Sequence, residues 1–362
     1  NQSVSIFSSG TPSCITIGYS RAFGNSKGAP TSRGIRRDRP SSLEKTRWLT
    51  EPHPRARTWP KTASTSRFGT TKWRIMLMTG RHAPRFTMTD GGLPSGLWLI
   101  GLGPGDLGLM TADAIEHARA CDYRFLEGYT ATLPEDQEAR LEGLVGQWNR
   151  AMRPMVEDPS EILSLATEKS VALMVVGDPM QATTHVDLES HCAEQGIDFS
   201  VIPGLSATSL AVSLSGLQSY RFGRQVTLPF AYGDYLPTSP LEMIDSNYTN
   251  NLHTLVLLDL DPTGMGVETP RPMQPKQAVE ILKEMFEKLI EREGSVRESM
   301  TTAIANWDAI LLSDLGTADQ RIVSGDLDDI AKLSDGRIHC LILPAEFAGL
   351  EREAYERRRY QA

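Results

Sequence analysis

Cysteines are few in this sequence, and long apolar runs are missing. The 362 residues include four cysteines, Cys14, Cys121, Cys192 and Cys340, and no two of them form a CxxC pair. This usage is typical of reduced thiols in a cytoplasmic protein, and it argues against a disulfide framework or a zinc site. No apolar run approaches the roughly 18–20 residues of a membrane helix, so we expect no membrane span.

The common catalytic and nucleotide-binding signatures are missing as well. Neither GxSxG nor HExxH occurs, and His185 and His191 are six residues apart, an awkward spacing for two ligands on one helix face. The stretch GLGPGD at residues 101–106 lacks the GxGxxG spacing of a dinucleotide site, and no GK[ST] follows it as in a P-loop. These absences favour a reaction in which a cofactor supplies the chemistry and the protein mainly positions it.

Charge divides the sequence into two unequal parts. Residues 1–87 contain 16 basic and 3 acidic side chains, whereas residues 88–362 contain 21 basic and 42 acidic ones. The first part is rich in Ser, Thr, Arg and Pro and has no sustained helical or strand period, so we expect disorder there. It could be a basic arm that binds nucleic acid, or a transit peptide. We favour a third interpretation, translated sequence upstream of the true start, because the chain opens with Asn1 and the ordered pattern begins only after Met88.

From Leu97 onward, apolar runs alternate with helical patterns, which predicts an α/β fold. Several runs are apolar at consecutive positions, as in parallel strands that are covered on both faces. Thr111 is a candidate cap for the first helix, and Pro275 opens a long helix with apolar residues at helical spacing. The predicted strands cover residues 97–103, 171–177, 199–204, 253–260, 309–316 and 338–344.

The ordered part is long enough for two domains. Around residues 218–250 the sequence has few apolar runs and many turn residues, so we interpret this stretch as a link. We therefore predict an N-terminal α/β domain over residues 95–217 and a C-terminal α/β domain over residues 225–346.

Three predicted strands end in turns that contain glycine: GLGPGD at 101–106, GDP at 177–179 and PGLSA at 203–207. Ligands of open α/β sheets bind beyond the carboxyl ends of the strands, and glycine lets the backbone approach them closely. Asp178 can cap the segment that follows it, or it can meet a cationic or hydroxyl-bearing ligand. Tight turns without a ligand remain an alternative explanation of all three motifs.

Five segments occur in this order: LIGLGPGD, VGDPMQATTH, GLQSYRFG, PFAYGDYLPTSPLEMI and NNLHTLVLLDLD. Together they resemble the diphthine synthase family, the methyltransferases of diphthamide biosynthesis, which have the tetrapyrrole-methylase fold. The resemblance covers about Leu97 to Tyr355. It implies two α/β domains with S-adenosylmethionine in the cleft between them, in a cytoplasmic homodimer. It also implies methylation of the amino group of a 3-amino-3-carboxypropyl-histidine on translation elongation factor 2.

The resemblance also implies a set of cofactor-binding residues, many of which would contact the cofactor through backbone groups. In the third turn the resemblance implies Ser206 and Ala207. This turn has one residue more than the family pattern, so Ala207 and Thr208 are an alternative pair. The resemblance assigns no catalytic residue and no metal ligand. The implied cofactor contacts are Pro104, Asp178, Gln181, Ser206, Ala207, Leu258, Leu315 and His339.

Other functions stay open at this point. A tetrapyrrole or precorrin methylase would need basic residues for the carboxylates of its substrate, and a ribosomal RNA ribose methylase would need to neutralise phosphates. Both fit the acidic residues 88–362 poorly, so we expect no nucleic-acid partner. A non-enzymatic binding module is a third alternative. The segment from Tyr232 to Ser239 either joins the two domains or forms a rim on which a protein substrate docks.

Overall fold

The computed structural model describes residues 92–233 and 235–361. The disorder predicted for residues 1–87, and Cys14 with it, lies outside the described residues. In the described part of the chain, ten strands form two five-stranded sheets with helices between them, as the α/β prediction requires. None of the described helices has the length and apolar character that crossing a bilayer requires.

The first sheet is parallel throughout, in the order β3-β2-β4-β1-β5. Leu97 of β1 pairs with Val171 of β4 on one side and with Phe199 of β5 on the other. Every residue of β1 and β4 is buried, which explains their uninterrupted apolar sequences. The strands are β1 (Gly96–Gly101), β2 (Tyr123–Glu127), β3 (Asn149–Ala151), β4 (Ser170–Val175) and β5 (Phe199–Ile202).

Helices connect the strands of the first sheet and cover both of its faces. The Thr111 side chain accepts a hydrogen bond from Ala114 N at 3.1 Å, so the predicted cap of the first helix is confirmed. The helices are α1 (Ala112–Ala120), α2 (Glu135–Val145), α3 (Arg153–Glu157), α4 (Ser160–Ala166), α5 (Val186–Gln195) and α6 (Ala207–Leu214).

The second sheet has the order β6-β7-β10-β8-β9 and is mostly antiparallel. Only β6 and β7 pair in parallel, so the prediction of parallel strands is wrong for this sheet. Helices and the first half of the chain cover both faces of this sheet. Its strands are therefore apolar at consecutive positions although most of them are antiparallel. The strands are β6 (Val226–Leu228), β7 (Thr254–Leu258), β8 (Asp308–Ser313), β9 (Arg321–Asp326) and β10 (His339–Leu343).

The longest helix of the second half begins at Pro275, as predicted. Gln274 and Gln277 form a reciprocal capping box at its start, and its apolar side packs into the core. The stretch at residues 218–250 is more than a link, because it contains β6 and a helix that buries Leu241 and Ile244. The helices are α7 (Ser239–Thr249), α8 (Pro275–Glu293), α9 (Leu327–Ile330) and α10 (Glu351–Glu356).

A buried carboxylate, Glu351, ties the link to the end of the chain. It accepts hydrogen bonds from Gln218 N at 2.9 Å and from Ala348 N at 2.7 Å, and it pairs with Arg221 and His253. Burial alone would raise the pKa of Glu351, but these hydrogen bonds outweigh burial and lower it. The described residues pack as one compact unit, and the domain boundaries at 95–217 and 225–346 stay predictions.

Candidate functional site

The first two glycine turns are joined directly by backbone hydrogen bonds. Gly103 N donates to Gly177 O at 3.2 Å, and Gly177 N donates to Gly103 O at 2.7 Å. Both residues have positive φ angles, +79° and +89°, which side chains rarely allow. The turns after β1 and β4 therefore form one continuous floor at the carboxyl edge of the first sheet.

The third turn touches this floor backbone to backbone. A Cβ atom on Gly204 would lie 2.1 Å from Gly177 O and 2.8 Å from the Cα atom of Gly101. A Cβ atom on Gly101 would lie 2.4 Å from Gly204 N. No side chain fits at either position, so the sequence needs glycine here to let the three turns meet.

Asp178 fixes the second turn to the third. One carboxylate oxygen accepts a hydrogen bond from Met180 N at 3.0 Å, and the other accepts one from Gly204 N at 3.2 Å. Asp178 therefore caps the segment that follows it, which is one of the two roles that the sequence allowed. Each oxygen keeps a second lone pair for a ligand, since a carboxylate can accept about four hydrogen bonds.

Polar side chains continue from the second turn to the start of α6. Ser206 caps this helix by accepting a hydrogen bond from Thr208 N at 3.2 Å, and the Thr208 hydroxyl donates to Gln181 Oε1 at 2.8 Å. His185 lies behind the turn, fully buried, and its Nδ1 contacts Pro179 O at 2.7 Å. Burial lowers the pKa of His185 below its usual value. His185 therefore supports the turn and does not line the cavity.

The second sheet supplies the opposite wall. Strands β7 and β8 end at this wall, and the antiparallel strand β10 begins there. The first residue of β10, His339, therefore pairs with the last residue of β8, Ser313. His339 Nδ1 lies 2.8 Å from the Ser313 hydroxyl, while its Nε2 is buried and has no hydrogen-bond partner among the described residues. Burial lowers the pKa of His339, which favours the neutral ring.

The turn after β8 closes the cavity against the first turn. Asp106 N donates a hydrogen bond to Gly316 O at 2.9 Å, and a Cβ atom on Gly316 would lie 2.4 Å from Pro104 Cγ. Gly316 and Pro104 therefore lie side by side, although they are 212 positions apart in the sequence.

A cavity of about 300 Å³ lies between these walls. All eight residues that the resemblance implied line it, and so does Thr208, the alternative in the third turn. They come from six separate segments of the chain. The eight are Pro104, Asp178, Gln181, Ser206, Ala207, Leu258, Leu315 and His339.

Sequence reasoning missed one end of the cavity. Tyr129 and Thr130 follow β2, and Arg153 follows β3; neither strand was predicted, because one is partly exposed and the other has only three residues. Asp259, directly after β7, also lines this end. The run of aromatic, hydroxyl and charged residues just after YRFLE was the one sequence signal that could have indicated it.

A buried carboxylate lies behind this end of the cavity. Glu127 is 1% exposed; its Oε2 accepts a hydrogen bond from the Thr130 hydroxyl at 2.6 Å, and its Oε1 has no partner among the described residues. Burial raises the pKa of Glu127 to about 7, against the lowering effects of the Thr130 hydrogen bond and the Arg153 charge.

The lining carries more negative than positive side chains. The carboxylates are Asp178, Asp259, Asp261 and Asp314, and the guanidinium groups are Arg153 and Arg337. Such a cavity suits a cationic ligand or a zwitterion better than a ligand with several carboxylates or phosphates.

The tetrapyrrole (corrin/porphyrin) methylase family matches residues 96–331, which include all three glycine turns, the whole first sheet and four of the five strands of the second sheet. The chain belongs to this family. The predicted family and fold class are confirmed, and so is the prediction that the protein is a methyltransferase.

Several similar proteins within this methylase family are named diphthine synthase or diphthine methyl ester synthase. A diphthine synthase of Methanoregula boonei is 35% identical over 259 residues, which cover 71% of this chain and 96% of the relative. A diphthine methyl ester synthase of Yarrowia lipolytica is 36% identical over 260 residues, which cover 68% and 83%. A diphthine synthase of known crystal structure is 25% identical and superposes with a TM-score of 0.61, covering 73% of this chain and 95% of that one.

Replacing Gly204 by Ala should destabilise this methylase by at least about 2 kcal/mol, because the new Cβ atom would overlap a carbonyl oxygen and force the turns apart. The matched control is Gly143→Ala, inside α2, where a Cβ atom would meet nothing within 4 Å. The control should be neutral or stabilising by about 0.5–1 kcal/mol. Urea unfolding measures both changes, and equal effects would show that the turns do not meet as described.

Replacing Glu127 by Gln should change how stability depends on pH. The pKa of Glu127 is higher in the folded protein, about 7, than its ordinary value of 4.5, so the folded state binds more protons between these values. The carboxyl group stabilises the fold fully below about pH 4.5, and this contribution is lost as the pH rises through about 7.

Relative to Glu127→Gln, the wild type should therefore lose on the order of 2–3 kcal/mol of unfolding free energy between pH 4.5 and 7.5. Denaturant unfolding at a series of pH values measures this difference. Glu168→Gln, at an exposed position of the same half, is the control and should show no such trend. Parallel pH curves for wild type and Glu127→Gln would contradict the burial of an unpaired carboxyl group.

Proposed function

We propose that this protein is a diphthine synthase. It transfers methyl groups from S-adenosylmethionine to the amino group of 3-amino-3-carboxypropyl-histidine on translation elongation factor 2. The observation that carries the proposal is the cavity itself: eight residues expected from the resemblance, in six separate segments, line one space. The activities for which the relatives are named support the same function.

The residues of the cavity fit S-adenosylmethionine in the way that the family implies. The floor of glycine turns offers backbone groups at close range, and the buried, unpartnered Nε2 of His339 offers one more polar contact. Asp178 and Gln181 hold the second turn in place and keep hydrogen-bonding capacity toward the cavity. The cofactor supplies a methyl group on a positively charged sulfur, which is already a reactive electrophile.

The contribution of the chain is then mainly orientation. An amine attacks a methyl group in line, so the protein must hold the two about 3–3.5 Å apart and keep the amine neutral. The acidic lining attracts the cationic form of the amine to the cavity, where the amine releases its proton to water before it attacks. A methylated product is cationic too, so the same lining suits repeated methylation.

A protein substrate also needs a docking surface. Tyr232 at the cavity end donates hydrogen bonds to Asp259 and to Asp261 O, and its ring stacks on Tyr235 at 6.3 Å. Tyr235 is 60% exposed, so an aromatic surface extends outward from the cavity. This surface supports the interpretation of the segment from Tyr232 to Ser239 as a rim for elongation factor 2. A homodimer in the cytoplasm completes the proposal.

The full chain should transfer methyl groups from labelled S-adenosylmethionine to elongation factor 2 that carries the aminocarboxypropyl-histidine. Mass spectrometry of the modified peptide would count them. Three methyl groups are expected for an enzyme that forms diphthine, and four would indicate the methyl ester activity named for the fungal relative.

Elongation factor 2 with an unmodified histidine is the control, and it should remain unlabelled. Label on a small tetrapyrrole or on ribosomal RNA, with none on the modified elongation factor, would contradict the proposed substrate and leave a methyltransferase of the same fold.

A further inference from the structure

One cationic side chain that lines the cavity has no assigned role. Arg153 opens α3 at the end of the cavity formed by Tyr129, Thr130 and Asp259. Its Nε is buried and has no hydrogen-bond partner among the described residues. Arg153 forms a long ion pair with Glu157, 3.8 Å from Nη1 to Oε1, and the Glu157 side chain is 61% exposed. A guanidinium has five donors, so most of its hydrogen-bonding capacity is available to a ligand.

The surroundings hold Arg153 in a fixed position. Its guanidinium lies over the ring of Tyr129, 5.2 Å from the ring centroid. On the other side, a Cβ atom on Gly266 would lie 2.4 Å from the Arg153 Cβ atom and 2.5 Å from Nε, so only glycine lets this turn cover the arginine. Arg153 N also donates to Gly266 O at 3.1 Å. The side chain is therefore oriented before any ligand arrives.

The nearby carboxylates do not neutralise Arg153 by hydrogen bonds. Asp261 accepts from Thr263 N at 2.8 Å and from Gly266 N at 2.5 Å, so it stabilises the turn. Asp259 accepts from Phe230 N and from the Tyr232 hydroxyl, both at 3.2 Å. Glu127, whose pKa burial raises to about 7, is already bonded to Thr130.

The other cationic candidates of the lining are in use or uncharged. Arg337 donates to Thr132 O at 3.4 Å and to Leu133 O at 3.5 Å, which ties the second half of the chain to the first. The pKa of His339 is lowered by burial, so its ring is neutral at pH 7. Of the two guanidinium groups in the described lining, Arg337 is thus the one tied to backbone carbonyls, whereas the Arg153 side chain donates no hydrogen bond to the described residues.

We propose that Arg153 binds the carboxylate of the 3-amino-3-carboxypropyl group, as the residue that makes this site specific for an α-amino acid terminus. Guanidinium and carboxylate form paired hydrogen bonds in one plane. The amine and the carboxylate of the substrate share one carbon atom, so fixing the carboxylate also fixes the amine relative to the methyl donor. This assignment rests on the proposed function, since it takes its substrate from there.

Replacing Arg153 by Met keeps an unbranched apolar stem, which reaches about as far as Nε, but removes the guanidinium donors. We expect kcat/KM for elongation factor 2 bearing the aminocarboxypropyl-histidine to fall on the order of 10- to 100-fold, the loss of a charge-assisted pair. Arg153→Lys keeps the positive charge but cannot form the paired hydrogen bonds, so its kcat/KM should fall less than that of Arg153→Met. The Kd for S-adenosylhomocysteine should stay within about twofold of wild type in both variants, as calorimetry would measure.

Arg150→Met is the matched control. Arg150 also lies over an aromatic ring, Trp148 at 5.4 Å, and pairs with a glutamate, Glu138 at 2.7 Å, but it does not line the cavity. Its kcat/KM should remain within about twofold of wild type. Unmodified elongation factor 2 should inhibit all variants equally, because docking outside the cavity does not involve Arg153.

Three outcomes would overturn the assignment, and they are distinguishable. An active wild type with an unchanged Arg153→Met variant would show that the carboxylate lies elsewhere. A weakened Kd for S-adenosylhomocysteine in Arg153→Met would place this arginine in the cofactor site or in a purely structural role. A wild type that binds S-adenosylhomocysteine but does not methylate the modified elongation factor would contradict the proposed function, and the assignment with it.

Discussion

The close approach of three backbone turns at Gly101, Gly177 and Gly204 is the constraint on which the rest of the site depends. Because Gly101 and Gly204 carry no Cβ atom, the turns after β1, β4 and β5 can lie directly against one another. Their contact makes the carboxyl edge of the parallel sheet a continuous backbone surface. Asp178 then locks the second turn to the third, so the surface is rigid before a ligand binds.

The antiparallel second sheet complements this floor because its strands run in both directions. Strands β7 and β8 end at the cavity, and β10 begins there, so Leu258, Leu315 and His339 reach one wall from three segments. The first half thus supplies backbone and small polar groups to the cavity, while the second half supplies apolar side chains, the neutral imidazole of His339 and most of the carboxylates. The far end, around Arg153, carries charged side chains, among them Asp259 and Asp261.

Part of this arrangement could be predicted from the sequence. Apolar runs marked the six strands that border or support the cavity, and the glycine turns marked its floor, because both signals are local. Strand direction in the second sheet could not be predicted, since consecutive apolar residues indicate covered faces and not orientation. Tyr129 and Arg153 were missed because β2 and β3 are short and partly exposed, and because the contact between Arg153 and Gly266 joins residues 113 positions apart. The eight cavity residues followed from the resemblance, and their contact with the cofactor stays a prediction.

A crystal structure of the full chain with S-adenosylhomocysteine would test the central claim most directly. The account predicts the ligand in the cavity between the two sheets, against the glycine floor, with Asp178 and His339 in contact with it and Arg153 left free at the far end. A ligand bound elsewhere on the protein, or in the cavity with its own carboxylate on Arg153, would contradict the account.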